Sequence, residues 1–157
     1  MSFWKNLWSW LPILLSGKPH FYVGGQEQPY LLRWYLLPRN PLINLYLHKF
    51  VRDDEDRAEH NHPWICLSLM IRGGYIEHSC GTKTYRYAPS IAFRWSSHVH
   101  RVELHEDFET GEKRPCWTIV LTGPKVRTWG FFCPKGFVPW FDFVDQRDHG
   151  NIGRGCE

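Results

Sequence analysis

The stretch HNHPWICLSLMIRGG, residues 60–74, combines two features that decide how the rest of the chain is interpreted. His60 and His62 stand one residue apart, and an apolar run follows them and ends at Gly73 and Gly74. In a β-strand, residues i and i+2 point to the same face, about 6 to 7 Å apart along the chain, so one metal ion can contact both imidazoles. The alternative is that one histidine faces water and the other is a hydrogen-bonded core residue.

The composition predicts a single all-β domain. The chain has 157 residues, enough to bury its own core. Nine Trp, seven Tyr and ten Phe favour strands over helices. The net charge is +3, and the basic residues are scattered instead of grouped in the blocks that mark a phosphate-binding surface. No nucleic-acid partner is therefore predicted.

The cysteines show neither a CxxC spacing nor a paired framework. Their number is odd, and they stand at Cys66, Cys80, Cys116, Cys133 and Cys156. This pattern argues against a zinc finger and against secretion. The sequence therefore predicts a reducing compartment, the cytoplasm.

The stretch MSFWKNLWSWLPILLSG, residues 1–17, predicts an amphipathic helix. We expect residues 1–18 to pack as a segment on one barrel domain formed by residues 19–157. The run is too short to cross a bilayer and has no signal-peptide cleavage pattern, so no membrane span is predicted. Weak interfacial membrane contact through residues 3–15 is the alternative. The apolar residues at helical spacing are Phe3, Leu7, Trp8, Leu11, Leu14 and Leu15.

Beyond Gly25 the chain alternates short apolar segments with turn signals. Pro38 ends the segment 30–37, the charged run RDDEDR follows the segment 43–51, and two glycines end the segment 64–71. Further segments of this kind continue to Cys133, with no long helical period between them. The pattern predicts an antiparallel sandwich or a small barrel.

A second pair, His98 and His100, lies in SIAFRWSSHVHRVEL, residues 90–104. A hairpin between the two stretches would bring both pairs into one cavity. Together, the stretches resemble the motifs of the cupin superfamily. The first cupin motif runs HxH, three or four residues, Glu, six residues, Gly; here both histidines of the first pair and Gly73 match, and Cys66 stands where the glutamate is expected.

The second motif of the cupins is commonly written GDVVFVPAGVPHRVEN. Phe93 aligns with its phenylalanine, and His100, Arg101 and Val102 align with its His-Arg-Val. This register selects His100 over His98 as the third metal ligand. Two departures are Pro89-Ser90 in place of Pro-x-Gly and Leu104 in place of the asparagine.

The resemblance covers about residues 43–130 and implies a cupin-type jelly-roll barrel. It also implies a metal site formed by His60, His62 and His100. Because Cys66 replaces the glutamate, the set has three histidines and no carboxylate. Such a set resembles that of the thiol dioxygenases, including cysteine dioxygenase.

The ligand type then sets the expected chemistry. Neutral imidazoles suit divalent transition metals, and three of them leave coordination positions open. We expect a non-haem oxygenase that acts on a small polar molecule, with iron(II) favoured and zinc or nickel as alternatives. A non-catalytic cupin-like module that binds a small ligand or a partner is the competing hypothesis. The sequence leaves the oligomeric state open, and a dimer is compatible with it.

Further site residues come from the neighbourhood of the histidines. In RDDEDR, Asp53, Asp56 and Arg57 are predicted to act in catalysis, and a solvated loop is the alternative. Other residues are predicted to support the ligands or contact a substrate, although a cysteine or aromatic in such a strand is commonly a core residue. They are His98, Cys66, Trp64, Tyr75 and Arg94.

Overall fold

The computed structural model describes residues 3–54, 58–145 and 151–157. Strands dominate this part of the chain, and they pair in antiparallel fashion, as predicted for the all-β class. In chain order the elements are α1 (Phe3–Leu15), β1 (Phe21–Val23), β2 (Leu31–Tyr35), β3 (Asn44–Phe50), β4 (Glu59–His60), β5 (Cys66–Arg72), β6 (Gly74–Ser79), β7 (Thr82–Tyr87), β8 (Ser90–Arg94), β9 (Arg101–Leu104), β10 (Cys116–Thr122), β11 (Gly130–Cys133), β12 (Gly136–Pro139) and α2 (Trp140–Phe143).

The largest sheet contains six strands in the order β1-β2-β3-β10-β5-β8. The pleat turns alternate residues of each strand toward the interior. Arg33 of β2, His48 of β3 and Thr118 of β10 lie directly opposite one another in the register, and Ser68 of β5 shares their face. The inner face of this sheet is therefore rich in polar side chains, and it lines a cavity.

Two three-stranded sheets, β12-β11-β4 and β7-β6-β9, lie across the interior from the large sheet. A single β-bridge connects them, between His60 of β4 and His100 just ahead of β9. Apolar side chains from both layers form one core cluster. The cluster consists of Met70, Tyr75, Val102, Leu104 and Cys116. The bridge thus joins the two small sheets at the place where two of the predicted ligands lie.

The outer face of the large sheet carries two transverse rows of apolar side chains. Ile91 and Phe93 on β8, at the edge of the sheet, are 67% and 55% exposed. Contiguous apolar patches of this kind mark surfaces that contact other macromolecules or membranes. The dimer remains a prediction. One row runs through Trp34, Leu47, Ile119, Leu69 and Ile91, and the other through Leu45, Leu121, Leu67 and Phe93.

The predicted N-terminal helix is confirmed as α1, and it contacts strand β2. The indole N–H of Trp10 donates a hydrogen bond to the backbone oxygen of Tyr35 at 2.6 Å. Leu7 and Leu14 are half-buried, as predicted, and Trp10 joins them. The prediction is wrong for three residues of the proposed face, because Trp8, Leu11 and Leu15 are exposed. Among the described residues, no helix is long and apolar enough to span a membrane.

A disulfide between Cys133 and Cys156 ties the C-terminal segment to β11. The prediction that the cysteines have no paired framework is therefore wrong for these two residues, while Cys66, Cys80 and Cys116 are free thiols. Disulfides are more typical of oxidising compartments than of the cytoplasm. The cytoplasmic location thus gains no support from the fold and stays a prediction.

Candidate metal centre

Three histidines from two distant stretches of the chain meet beside the interior cavity. The ring centroids of His60, His62 and His100 are separated by 5.0, 5.2 and 5.2 Å. The Nε2 atoms of His62 and His100 are 2.9 Å apart, and one nitrogen of each ring lies within 4.8 Å of the other two. Nitrogens bound to one ion at about 2.1 Å lie about 3 to 4 Å apart. The spacing is therefore close to that of a metal centre.

The backbone bridge positions two of the three rings. The N–H of His60 donates to the carbonyl of His100 at 2.8 Å, and the N–H of His100 donates to the carbonyl of His60 at 2.9 Å. Directly opposite residues of an antiparallel pair present their side chains on the same face. The prediction that both members of the first HxH lie on a strand is wrong, because β4 ends at His60 and His62 follows it in irregular backbone.

The position of His62 depends on its neighbour Asn61, which is 1% exposed. The N–H of Asn61 donates to the carbonyl of Gly130 at 3.2 Å, and its Oδ1 accepts from the N–H of Gly130 at 3.0 Å. A Cβ at position 130 would lie 2.2 Å from the carbonyl oxygen of Val138, so only glycine fits against β12 at the point where β11 binds Asn61. The ring of Trp64 then stacks on His62 at 6.4 Å.

Burial keeps His62 and His100 neutral. It lowers the pKa of His62 well below the ordinary value, and the neighbouring rings of His60 and His100 lower it further. Burial also lowers the pKa of His100 to about 3, although Glu77 acts in the opposite direction. Neutral imidazole is the form that binds metal ions.

Glu77 of β6 fixes the orientation of His100. Its Oε1 lies 2.9 Å from Nδ1 of His100, a close contact that is not a well-aligned hydrogen bond. A carboxylate on this side favours the tautomer with its proton on Nδ1 and leaves the lone pair of Nε2 for a metal. Nε2 is the atom that faces His62. The sequence analysis missed Glu77.

Glu77 is also the centre of a buried ion cluster. It is 3% exposed, and it accepts hydrogen bonds from Nε of Arg94 at 2.6 Å and from Nε of Arg86 at 2.5 Å. Burial raises the pKa of the Glu77 carboxyl, but the close contact with His100, the hydrogen bond from Arg94 and the charge of Arg94 outweigh that effect and hold the pKa well below its usual range. Glu77 is therefore ionised, and Arg94 neutralises its charge.

A second group of three ligand atoms overlaps the first. It consists of Glu77, His98 and His100, with Nε2 of His98 3.2 Å from Oε1 of Glu77. The arginines already occupy this carboxylate, which weakens it as a ligand for a cation. Neither Glu77 nor His98 is among the described residues that line the cavity, whereas His60, His62 and His100 all line it. The three-histidine group is therefore the better candidate.

The cavity has a volume of about 260 Å³. Its polar lining on the large sheet includes Arg33, whose Nε donates to Nε2 of His48 at 2.9 Å. Burial, together with the charge of Arg33, lowers the pKa of His48 well below its ordinary value. A concave, largely aromatic space next to the histidines suits a small organic molecule. The aromatic side chains of the lining include Tyr46, Trp64, Trp129, Phe131 and Trp140.

In the acidic segment, the residue that lines the cavity is the neighbour of the predicted Asp53. Asp53 accepts a hydrogen bond from the N–H of Leu104 at 2.7 Å and pairs with Lys113 at 2.8 Å, away from the cavity. A catalytic role for Asp53 remains a prediction. Its neighbour Asp54 lines the cavity and lies 3.5 Å from Nδ1 of His60. The predicted Asp56 and Arg57 lie outside the described residues.

The other predicted neighbours lie around the histidines, and their roles remain predictions. Cys66 and Tyr75 line the cavity. Burial raises the pKa of both groups, so the thiol and the phenol are protonated at neutral pH. Nη2 of Arg94 donates to the hydroxyl of Tyr75 at 2.9 Å. His98 contacts Glu77 from a partly exposed position, which supports His100 indirectly.

The donor set fits a divalent transition metal. Without an ion, two neutral rings meet through their Nε2 atoms at 2.9 Å, so one of the two must carry its proton there. Among the residues that the structure describes, none forms a well-aligned hydrogen bond with the buried Nδ1 of His60. Three imidazoles without a carboxylate ligand match iron, nickel, copper or zinc better than magnesium or calcium.

We predict that the metal-free protein loses stability as the pH falls from 7 to 5. His48, His62 and His100 protonate near pH 6.5 when unfolded but stay neutral in the folded state, so the unfolded chain binds more protons. Each histidine then costs up to about 2 kcal/mol over this range. Urea unfolding at several pH values measures the loss, and His48→Gln should reduce its slope. A flat profile would contradict the buried neutral histidines.

Comparison with known proteins shows the fold. No model of a known family matches the chain, and no curated protein matches it significantly. Among solved structures, a protein of Klebsiella pneumoniae with a double-stranded β-helix domain is 19% identical, with a TM-score of 0.51 over 70% of this chain and 90% of that one. FeII HppE is 13% identical, with a TM-score of 0.53 over 68% of this chain and 57% of that one.

A third structure extends the likeness to the polyketide cyclase RemF of Streptomyces resistomycificus. It is 13% identical, with a TM-score of 0.50, and the match covers 68% of this chain and 75% of that one. At such identities, the similarity concerns the fold alone. The chain has the double-stranded β-helix, or cupin, fold, which confirms the resemblance seen in the sequence.

Proposed function

We propose that this chain is a mononuclear non-haem metal protein in which His60, His62 and His100 hold one divalent ion, and that it acts as a metal-dependent oxygenase on a small molecule inside the barrel. The observation that carries the proposal is the convergence of three imidazoles, two of them held neutral by burial, on a cavity of about 260 Å³. Open coordination positions beside a cavity of ligand size suit catalysis better than a purely structural ion.

Iron(II) is the metal we favour, with zinc and nickel as alternatives. A bound iron(II) ion would supply redox chemistry with dioxygen, whereas zinc would supply an acidic water for hydrolysis or elimination. FeII HppE, an iron(II) protein by its name, shares the fold at 13% identity, which supports the view that iron can reside in such a barrel.

The protein's own residues have separate tasks in this proposal. Glu77 holds the proton of His100 on Nδ1, and Arg94 balances the carboxylate. Asp54 lies 3.5 Å from Nδ1 of His60 and would fix the tautomer of that ring. The aromatic walls exclude bulk water from the reacting molecule. Asp53, Asp56 and Arg57 remain predictions for catalysis. The cytoplasm remains the expected location, and the oligomeric state stays open, with a dimer compatible.

The test uses protein purified without a histidine tag, stripped with a chelator and reloaded anaerobically with iron(II), zinc or nickel. We expect one metal ion per chain, measured by elemental analysis, and oxygen uptake by the iron form with at least one of a panel of small thiols, amino acids and sugar derivatives. His105 stacks on Tyr87 at 4.6 Å and is not among the described residues that line the cavity, so His105→Ala is a matched control that should retain both properties.

Two results would count against the proposal in different ways. If metal binds stoichiometrically but no panel member raises oxygen uptake above the substrate-free rate, the oxygenase part fails and a metal-holding binding module takes its place. If no divalent ion binds, the metal centre itself fails.

A further inference from the structure

Arg33 is a cation of the cavity lining that forms no ion pair with any residue that the structure describes. It lies on β2, opposite His48 in β3, and lines the cavity. Its Nε donates to His48, and its guanidinium carbon lies 5.2 Å from the centroid of the Tyr46 ring. Neither neighbour carries a negative charge, because the imidazole is held neutral by burial and burial also raises the pKa of the phenol.

The other charged residues of the lining are Asp54 and Arg94, and Asp54 lies 3.5 Å from Nδ1 of His60. Arg94, the other arginine of the lining, is paired with Glu77 at 2.6 Å. Within residues 3–54, 58–145 and 151–157, Arg33 forms no salt bridge. A guanidinium has five N–H donors, and His48 accepts from only one of them. A partly buried, uncompensated cation in an aromatic cavity is costly unless an anion completes it.

Two aromatic rings lie between Arg33 and the histidines. The Tyr46 ring lies 6.5 Å from the ring of Trp64, and Trp64 stacks on His62 at 6.4 Å. The aromatic rings therefore form a continuous wall from the guanidinium to the metal centre. A molecule held by Arg33 at one end would lie along this wall and present its other end to His62.

We propose that Arg33 anchors the carboxylate of a small ligand whose apolar body, the size of one aromatic ring, lies against Tyr46 and Trp64. This deepens the proposed function by naming its substrate class, and it rests on that function only for the orientation toward the metal. A planar guanidinium matches a carboxylate in two parallel hydrogen bonds. The cavity of about 260 Å³ exceeds the roughly 150 Å³ that holds benzene, which leaves space for a short acidic side arm.

The test measures binding by the full chain, both as purified and after chelation, with four probes: phenylacetate, 3-phenylpropanoate, the neutral phenylacetamide and inorganic phosphate. We expect at least one carboxylate to bind at least about tenfold more tightly than the amide, since its charge pairs with the guanidinium. Arg33→Gln should lower the carboxylate affinity at least about tenfold and leave the amide affinity unchanged. The carboxylate affinity of Arg33→Lys should lie between those of the native protein and Arg33→Gln. Arg72→Gln, an exposed arginine on β5, is the matched control and should bind like the native protein.

Metal binding of Arg33→Gln should match that of the native chain, which separates this inference from the metal centre. Equal affinity for amide and carboxylate, no effect of Arg33→Gln, or no carboxylate binding at all would overturn the proposal. Tighter binding of phosphate than of either carboxylate would overturn the assigned ligand class. Retention of native far-UV circular dichroism in each variant is checked first, and Arg33→Lys serves if Arg33→Gln fails to fold.

Discussion

His100→Ala is expected to lower the affinity of the protein for a divalent ion by more than about 100-fold and to abolish any oxygen uptake by the iron form. Loss of an outer partner of a metal ligand already costs about 10- to 100-fold, and this change removes a direct bond to the ion. His100 provides the Nε2 atom that lies 2.9 Å from that of His62. Calorimetric titration of the stripped protein with zinc or nickel gives the affinity.

Two variants control this prediction. His105→Ala removes an imidazole that stacks on Tyr87 outside the cavity lining, and Cys66→Ser replaces a buried thiol in the lining that we do not count as a ligand. Both should bind metal like the native protein. If His100→Ala binds as tightly as the controls, His100 is not a ligand, whatever its distance from the other rings.

Glu77→Gln is expected to destabilise the fold by about 3 to 5 kcal/mol, because it leaves the charge of Arg94 buried without its partner. In a domain of this length such a change lowers the melting temperature by roughly 6 to 20 °C. The variant should also weaken metal binding about 10- to 100-fold, since His100 loses the carboxylate that orients it. Thermal denaturation and zinc titration measure the two effects separately.

Glu103→Gln is the matched control for this experiment. Glu103 pairs with His78 at 2.6 Å but is 30% exposed, so we expect its loss to cost less than about 1 kcal/mol and to leave metal affinity unchanged. The double variant Glu77→Leu with Arg94→Met removes both charges and should be more stable than Glu77→Gln. Equal melting temperatures for Glu77→Gln and Glu103→Gln would contradict the central role of the buried carboxylate.

The sequence predicted the strands well because their periodicity is local. Strand β5 alternates regularly, yet its small and polar residues Cys66 and Ser68 face inward and Leu67 and Leu69 face the exterior. Alternation alone cannot tell which face is buried, because a polar cavity reverses the usual arrangement. The HxH motifs were informative because the cupin resemblance supplied the long-range register that a single strand lacks.

The missed features all depend on long-range contacts or on register. Glu77 lies in the short strand GYIEHS, and its partners Arg94 and His100 lie 17 and 23 residues further along the sequence. The sequence does contain one pattern that indicates a buried Glu77. Tyr75 and Glu77 share one face of that strand, which places an acid beside a core aromatic. Asp54 rather than Asp53 lines the cavity, and the run RDDEDR offers adjacent carboxylates whose places in the fold cannot be told apart from the sequence.

The disulfide illustrates the same limit. Cys133 and Cys156 are separated by 23 residues, and the connectivity of cysteines cannot be deduced from their spacing alone. The odd number of cysteines argued against any pairing, although one pair and three free thiols satisfy the same count.

The location of a soaked metal ion in crystals of the stripped protein tests the central claim most directly. Anomalous diffraction at the absorption edge of zinc or nickel should give one strong peak, about 2.0 to 2.2 Å from a ring nitrogen of each of His60, His62 and His100. A peak held instead by Glu77 and His98, or three rings that stay more than about 6 Å apart with no ion between them, would contradict the proposed centre.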